Sequence, residues 1–157
     1  MSRLPAYWLM KSEPETFSIQ DLAGLGRTAW DGVRNYQARN YLRDKVKVGD
    51  GILFYHSNSR PSGIAGLSEV VRSGYPDDTA FDPNDPHYDP KSDPARPTWH
   101  RVDIKFIRAF PSVIPIQTLR DTPGLEKMLL FRNGRLSVLP VTRSEWKIIL
   151  KLADRLK

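Results

Sequence analysis

Two apolar segments with a short polar break between them place the strongest constraint on the fold. Residues 51–56 and 63–71 are rich in aliphatic and aromatic side chains, and a polar stretch separates them. Segments of this length, bounded by turn-forming residues, are typical of an antiparallel pair of buried strands. Residues 99–107 alternate in the manner of a further strand, with Val102 and Ile104 on its apolar face. These three segments therefore predict a central β-sheet.

Helical patterns flank these strands. Residues 18–21 and 142–145 both have the spacing of a capping box, in which the first and fourth side chains satisfy free backbone donors. Asn35 is placed to cap a further helix that extends through Lys45. The compact apolar run at residues 6–10 predicts a buried strand. We therefore expect a single α+β domain whose central strands curl into a small barrel.

Weaker local patterns complete this prediction. Gly63 and Gly66 lie within an apolar segment, which indicates a bend or a closely approaching backbone. The other patterns predict a loop at 28–33, helical turns at 115–119 and 124–130, a type I′ turn at 132–135 and a strand at 136–139.

A proline-rich segment differs from the rest of the chain in both its sequence pattern and its charge. Residues 76–97 hold six of the thirteen prolines and no periodic pattern, so they predict a long loop that either drapes over the domain or is mobile. Residues 77–93 contain six aspartates and one lysine, a net charge of −5, within a chain of net charge +6; the other 140 residues therefore carry +11. A basic body of this kind fits a polyanionic partner such as nucleic acid, or simply confers solubility.

Catalytic and metal-binding patterns are not found. The chain has no cysteine, which excludes disulfides, thiolate metal sites and cysteine nucleophiles. Its three histidines, His56, His87 and His100, lack metal-ligand spacing. Pro14 separates the carboxylates of Glu13 and Glu15, which favours a surface loop over acid–base chemistry. We expect no enzyme activity, no metal and no cofactor.

The N-terminal segment also bears on location. Its short apolar stretch ends at Lys11, which is unlike an export signal, and no apolar run is long enough to span a bilayer. We expect no membrane association, a cytoplasmic location (nuclear in a eukaryote) and a monomer.

Aromatic and amide side chains form the most suggestive cluster. Trp30 lies among small and polar residues, which fits either a plug at the end of a barrel or a stacking wall for a nucleobase. Asn35 and Gln37 offer amides that could read a base edge, although Asn35 could equally cap its helix. Arg34 and Arg39 suit phosphates or a solvated surface.

At these residues the sequence resembles the EVE domain family. The resemblance rests on residues 7–14 (YWLMKSEP), 30–35 (WDGVRN), 37–40 (QARN) and 48–57 (VGDGILFYHS), and it extends over essentially the whole chain. It implies that residues 1–157 form one PUA-like domain, a mixed β pseudo-barrel flanked by helices and related to the YTH domains.

The resemblance also implies a function. It points to a non-catalytic nucleic-acid-binding reader that accepts a modified base, a modified cytosine such as 5-methylcytosine in DNA, with RNA as the other carrier. The alternative is a binding protein linked to RNA modification, or an enzyme acting on a modified nucleotide through Glu13 or Asp31. A third hypothesis, independent of the resemblance, is a protein-interaction module that uses the acidic proline-rich loop.

Carried over by position, the resemblance implies a base pocket in which Trp30 stacks on the base. We expect replacement of Trp30 by alanine to abolish preference for the modified base and to leave the fold intact. The implied pocket residues are Lys11 and Ser12 at the end of the first strand, Trp30 as the wall, Val33, Arg34 and Asn35 as floor and edge readers, and Tyr55, His56 and Ser57 on the opposite side.

Overall fold

A mixed β-sheet surrounded by helices forms the protein. The structure is a computed structural model and describes residues 4–156. Within that range the strands are β1 (Tyr7–Ser12), β2 (Arg27–Trp30), β3 (Gly51–His56), β4 (Gly63–Pro76), β5 (His100–Pro115) and β6 (Val138–Val141). The helices of the same range are α1 (Ile19–Leu25), α2 (Tyr36–Asn40), α3 (Ile116–Asp121), α4 (Leu129–Arg132) and α5 (Arg143–Asp154). The predicted α+β class is confirmed.

The sheet has the strand order β2-β5-β4-β3-β1-β6. β1 and β3 run parallel, and the other neighbouring strands are antiparallel, including the predicted pair β3 and β4. Val102 and Ile104 of β5 are fully buried, as the alternation predicted. A Cβ atom on Gly63 or Gly66 would collide with a carbonyl oxygen of β5, so the predicted close approach of another backbone is also confirmed.

The sheet curls strongly. Trp30 at the end of β2 packs against Phe54 of β3, with 5.5 Å between ring centroids. Two strands, β5 and β4, lie between β2 and β3 in the sheet order. In a flat sheet, strands three positions apart would be separated by about 14 Å. The ring contact is possible only because the sheet closes toward a barrel, with β2 and β6 as its two outer strands.

The local helix predictions are correct where a cap determines them. Ser18 and Thr142 both form complete capping boxes, at α1 and α5. Asn35 caps α2 through its side-chain oxygen, which accepts a hydrogen bond from the backbone N–H of Ala38. The helical path then continues to Lys45 as one π-helical turn rather than as an α-helix.

Several loop and turn predictions are wrong. The first half of the predicted loop at 28–33 belongs to β2, because Thr28 and Trp30 pair with β5, far along the chain. The type I′ turn at 132–135 does not form, since Asn133 has a φ angle of −132° where that turn requires a positive value. The helical turn expected at 124–130 is displaced to α4, and the strand expected at 136–139 is displaced to β6.

The proline-rich segment drapes over the domain. We call residues 77–97 the strap. It begins with the buried Asp77, forms a 3₁₀ turn at Asp78–Phe81 and buries Ala80 completely. Trp99, directly after the strap, donates its indole N–H to the Asp89 carboxylate at 2.7 Å. The strap is thus fastened to the body at several points, and it brings its residues next to β2.

Candidate functional site

A cavity of about 460 Å³ opens where the sheet fails to close. Its volume is within the range of small-molecule sites. One side is the end of β1 together with Ser137, just before the outer strand β6, and the other is β2 with the loop after it. The lining residues are Lys11, Ser12, Thr16, Phe17, Thr28, Ala29, Trp30, Asp31, Gly32, Val33, Arg34, His87 and Ser137.

Trp30 is both a core residue and a cavity wall. Its side chain packs edge-on against Phe54 and Phe17, with centroids 5.5 Å and 6.4 Å apart, and the residue is only 8% exposed. The two interpretations of Trp30 from the sequence are therefore compatible. Removing a buried tryptophan costs about 3–5 kcal/mol. Trp30→Ala is therefore expected to destabilise the fold as well as to remove the cavity wall.

Arg34 holds the strap rather than facing solvent. Its guanidinium donates five hydrogen bonds: two to the carbonyl oxygen of His87, at 2.7 and 3.1 Å, and one each to the Val33 carbonyl, the Asp77 carboxylate and the Thr79 hydroxyl. A guanidinium has five N–H groups, and all five bonds lie within the protein. The structure therefore leaves Arg34 no free donor for the phosphate contact considered from the sequence.

Asp77 is the acidic partner of Arg34. We call these two residues and their hydrogen bonds the clamp. The Asp77 carboxylate is fully buried and accepts hydrogen bonds from the backbone N–H of Gly32 at 2.8 Å, from Arg34 at 3.0 Å and from both donors of Thr79. Burial alone would raise the pKa of Asp77, but the hydrogen bonds from Thr79, Gly32 and Arg34 outweigh it and lower that pKa. The carboxylate is therefore ionised at neutral pH.

The clamp sets His87 against the loop after β2. A Cβ atom on Gly32 would lie 2.5 Å from Nε2 of His87, and Gly32 has a φ angle of +77°. The positive φ angle favours glycine at position 32, and a larger residue there would displace the His87 side chain. Nδ1 of His87 lies 3.3 Å from the Asp85 carboxylate, and the side chain is 44% exposed. The strap thus supplies one wall of the cavity.

Asp31 is a carboxylate at this cavity with spare hydrogen-bonding capacity. One oxygen lies 3.6 Å from the Arg101 guanidinium, and the side chain is 36% exposed. Within residues 4–156 it makes no hydrogen bond. Burial raises the pKa of Asp31, and the nearby charge of Asp77 raises it further against the opposing effects of Arg101 and His87.

Two donors approach the cavity from β1. The ammonium of Lys11 donates to the carbonyl oxygen of Gly134 at 2.8 Å, and burial lowers the pKa of Lys11. The hydroxyl of Ser12 donates to the carbonyl oxygen of Phe17 at 2.6 Å, which leaves its oxygen able to accept. Lys11 can still offer further N–H groups to a ligand, because an ammonium has three.

The structure brings five of the nine residues implied by the resemblance to the cavity: Lys11, Ser12, Trp30, Val33 and Arg34. The other four are not among its lining residues. Asn35 caps α2, and the imidazole of His56 accepts a hydrogen bond from the Ile19 N–H at 3.1 Å. Tyr55 is 3% exposed with its ring beneath Lys11, and the N–H of Ser57 donates to the Ser12 carbonyl.

Sequence reasoning missed part of the lining. His87 was considered only as a metal ligand, and Asp31 only as a catalytic group. Phe17 and Ser137 were not considered, and they come from segments distant from Trp30 in the chain. Asp31 lies inside the WDGVRN segment that carries the resemblance. No periodicity or motif marks Phe17 or His87, which reach the cavity only through the curl of the sheet and the path of the strap.

Residues 4–156 also form a second groove, which is larger than this cavity. This groove of about 670 Å³ lies beside the start of β1, between Tyr7, Tyr41 and Val141, and it contains none of the implied pocket residues. Within the described range, no group of three or more histidine, aspartate or glutamate side chains could hold a metal ion. In the same part of the chain, every helix is too short or too polar to cross a membrane.

A curled mixed sheet with a cavity at its open side is the architecture of a family that sequence comparison identifies directly. Residues 6–152 match the EVE domain, so the chain belongs to the EVE domain family. The resemblance observed in the sequence is confirmed.

Named relatives and solved structures extend this assignment. Human thymocyte nuclear protein 1 is 44% identical, in a match that covers 99% of this chain and 77% of the human protein. A solved structure of human THYN1 protein in complex with DNA containing 5-methylcytosine has a TM-score of 0.89 at 43% identity, covering 97% of this chain and 99% of that one. A hypothetical protein from Leishmania major has a TM-score of 0.93 at 47% identity, with 96% of both chains covered.

Proposed function

We propose that this protein is a non-catalytic reader of modified DNA that holds 5-methylcytosine in the cavity beside Trp30. The observation that carries the proposal is the cavity itself, in which aromatic rings and polar groups surround a space open to solvent. The similar human structure in complex with 5-methylcytosine DNA supports the choice of ligand. RNA that carries a modified base is the other substrate to be tested.

A base reaches such a cavity only after it leaves its stack, which costs a few kcal/mol in a duplex. Contact with Trp30 and Phe17 would recover part of that cost, because stacking on an aromatic side chain contributes about 1–3 kcal/mol per base. The ammonium of Lys11 adds a donor for a carbonyl oxygen of the base. Phosphate contacts from the basic body, which carries +11 outside residues 77–93, would supply sequence-independent affinity.

The four implied residues outside the cavity would act through its walls. Asn35 fixes the start of α2 beside the loop that carries Val33. Tyr55 lies under Lys11, and Ser57 bonds the end of β1 at Ser12. We propose these residues, with His56, as supports of the pocket rather than direct contacts. We further propose that residues 1–157 act as one domain, as a monomer, in the cytoplasm or in the nucleus of a eukaryotic cell.

Fluorescence anisotropy on matched oligonucleotides tests the function. The panel has single- and double-stranded DNA and RNA with cytosine, 5-methylcytosine, 5-hydroxymethylcytosine or N6-methyladenine at one position, at two salt concentrations. We expect a several-fold preference for 5-methylcytosine in DNA that persists at high salt. Uniform binding that disappears with salt would refute the reader and leave only the basic surface.

A conservative variant links this preference to the cavity. Trp30→Phe keeps an aromatic ring in the core, and it should weaken binding of the methylated strand by roughly three- to tenfold because part of the stacking area is lost. The matched control is Trp146→Phe, since Trp146 stacks on Tyr7 at 4.4 Å and is not part of the cavity. An equal loss in both variants would argue against a base beside Trp30.

An enzyme acting on a modified nucleotide is the second candidate, and one observation favours it. Asp31 combines a raised pKa with a position at a cavity, which is common for acid–base groups. Incubation with 5-methylcytosine, 5-hydroxymethylcytosine and N6-methyladenine oligonucleotides, followed by nucleoside analysis, separates the two functions. Turnover that Asp31→Asn abolishes would replace the reader by the enzyme.

A further inference from the structure

A reader of 5-methylcytosine faces a particular competitor. Thymine has the same methyl group at carbon 5, and it differs from 5-methylcytosine at carbon 4 and at ring position 3. Thymine has an oxygen at carbon 4, which only accepts hydrogen bonds, where cytosine has an amine, which donates them. A site that recognised only the methyl group and the flat ring would therefore bind thymine as well. The cavity needs a group that distinguishes the two substituents at carbon 4.

Most polar groups of the cavity cannot make this distinction. The hydroxyl groups of Thr16 and Ser137 can each donate or accept, so they satisfy either substituent. The Ser12 hydroxyl donates its one hydrogen to the Phe17 carbonyl, so it offers the base only a neutral acceptor oxygen. Lys11 only donates, which favours an oxygen. A carboxylate only accepts, and among the lining residues of the described chain Asp31 alone carries one.

The surroundings of Asp31 keep its carboxylate available. Asp77, whose carboxylate binds the N–H of the neighbouring Gly32, accepts four hydrogen bonds from its own protein, whereas Asp31 accepts none within residues 4–156. Arg101 lies 3.6 Å from one oxygen of Asp31 and also pairs with Asp78 at 3.0 Å. This positive charge lies beside the side chain at the cavity and opposes the burial and the Asp77 charge, which together raise the pKa of Asp31.

We propose that Asp31 accepts a hydrogen bond from the exocyclic amine at carbon 4 of a cytosine in the cavity and so excludes thymine. The inference rests on the proposed function, because it assumes that a base enters beside Trp30. It makes Asp31 the residue that sets the base specificity of the pocket. A hydrogen bond of this type distinguishes a matched from a mismatched base by roughly ten- to a hundredfold.

The test compares two duplexes that differ only in the probed base. One carries 5-methylcytosine and the other thymine, each opposite an abasic site so that neither base is paired. Dissociation constants are measured by anisotropy for the wild type, Asp31→Asn and Asp31→Ala. The control is Asp78→Asn, which removes the other carboxylate paired with Arg101 and does not touch the cavity.

The wild type should prefer 5-methylcytosine over thymine by roughly ten- to a hundredfold. Asp31→Asn should bring this ratio close to one by weakening 5-methylcytosine and strengthening thymine, since its amide can donate to the oxygen at carbon 4. Asp31→Ala should lower the ratio without a gain for thymine, and Asp78→Asn should keep the wild-type ratio.

The outcomes separate this inference from the proposed function. An unchanged ratio in Asp31→Asn overturns the role of Asp31 and leaves the reader intact. A wild type that prefers methylated to plain cytosine yet binds thymine equally overturns the same role. A wild type that does not distinguish 5-methylcytosine from cytosine overturns the reader and the inference together.

Discussion

Replacing Arg34 by lysine should loosen the strap and destabilise the protein. The guanidinium donates five hydrogen bonds to four acceptors on both sides of the strap, and lysine has only three N–H groups. At least two bonds are therefore lost. Lysine keeps the positive charge, so the buried Asp77 retains a counter-ion. At about 1 kcal/mol for each lost bond, the expected loss in free energy of unfolding is about 2 kcal/mol.

Urea unfolding followed by tryptophan fluorescence measures this loss. Arg43→Lys is the matched control, because within residues 4–156 the side chain of Arg43 bonds only the neighbouring exposed Asp44, so its replacement should leave the unfolding midpoint unchanged. The effect at Arg34 should also depend on pH. The pKa of Asp77 is lowered in the folded protein. The ionised carboxylate therefore adds to the free energy of unfolding above about pH 3.9, and this stabilisation is lost as the pH falls through the folded-state pKa.

Equal midpoints for Arg34→Lys and Arg43→Lys at pH 7 would refute this reasoning, since they would mean that the clamp contributes no more than a surface pair. A full effect at pH 7 that persists unchanged below the folded-state pKa of Asp77 would instead refute the role of its carboxylate.

Three further substitutions probe other parts of the structure. Gly32→Ala should destabilise the protein by about 1–2 kcal/mol, measured by urea unfolding, because it strains a positive φ angle and displaces His87. Asp50→Ala should cost about 3 kcal/mol or more in the same assay, since the buried carboxylate accepts from the Trp8 indole N–H at 2.9 Å and from two backbone N–H groups. Burial lowers the pKa of His56, so the free energy of unfolding should fall as the pH drops below about 6.5, and His56→Gln should reduce that slope in thermal melts at stepped pH.

The parts of the fold that could be predicted are those determined by nearby residues. Ser18 and Thr142 each cap a helix by exchanging hydrogen bonds with the residue three positions later, and both capping boxes form as expected. The alternation in β5 correctly places Val102 and Ile104 in the core. In the capping boxes the interacting groups are close in sequence. In β5 the alternation of apolar and polar side chains indicates which face of the strand is buried.

The parts that could not be predicted depend on distant partners. Residues 28–30 of β2 were predicted to be a loop, because nothing in their own sequence indicates that they pair with β5. Arg34 was expected to face a phosphate or solvent, and nothing near it in sequence indicates that its acceptors include Asp77 and His87. The cavity is likewise assembled from the ends of β1 and β2, Ser137 and the strap, so only the three-dimensional path of the chain shows which residues meet.

The open side of the curled sheet has a consequence for how such a pocket could change its ligand. One wall contains the outer strand β2, and the other ends at Ser137 beside the outer strand β6. An outer strand directs one row of main-chain amide and carbonyl groups away from the sheet. Those groups are independent of side-chain identity, so they provide a constant polar frame. Under the proposed role of Asp31, selectivity would depend on a few replaceable side chains around that frame, such as the one at position 31. One scaffold could therefore acquire a new base preference through a single substitution, without redesign of its core.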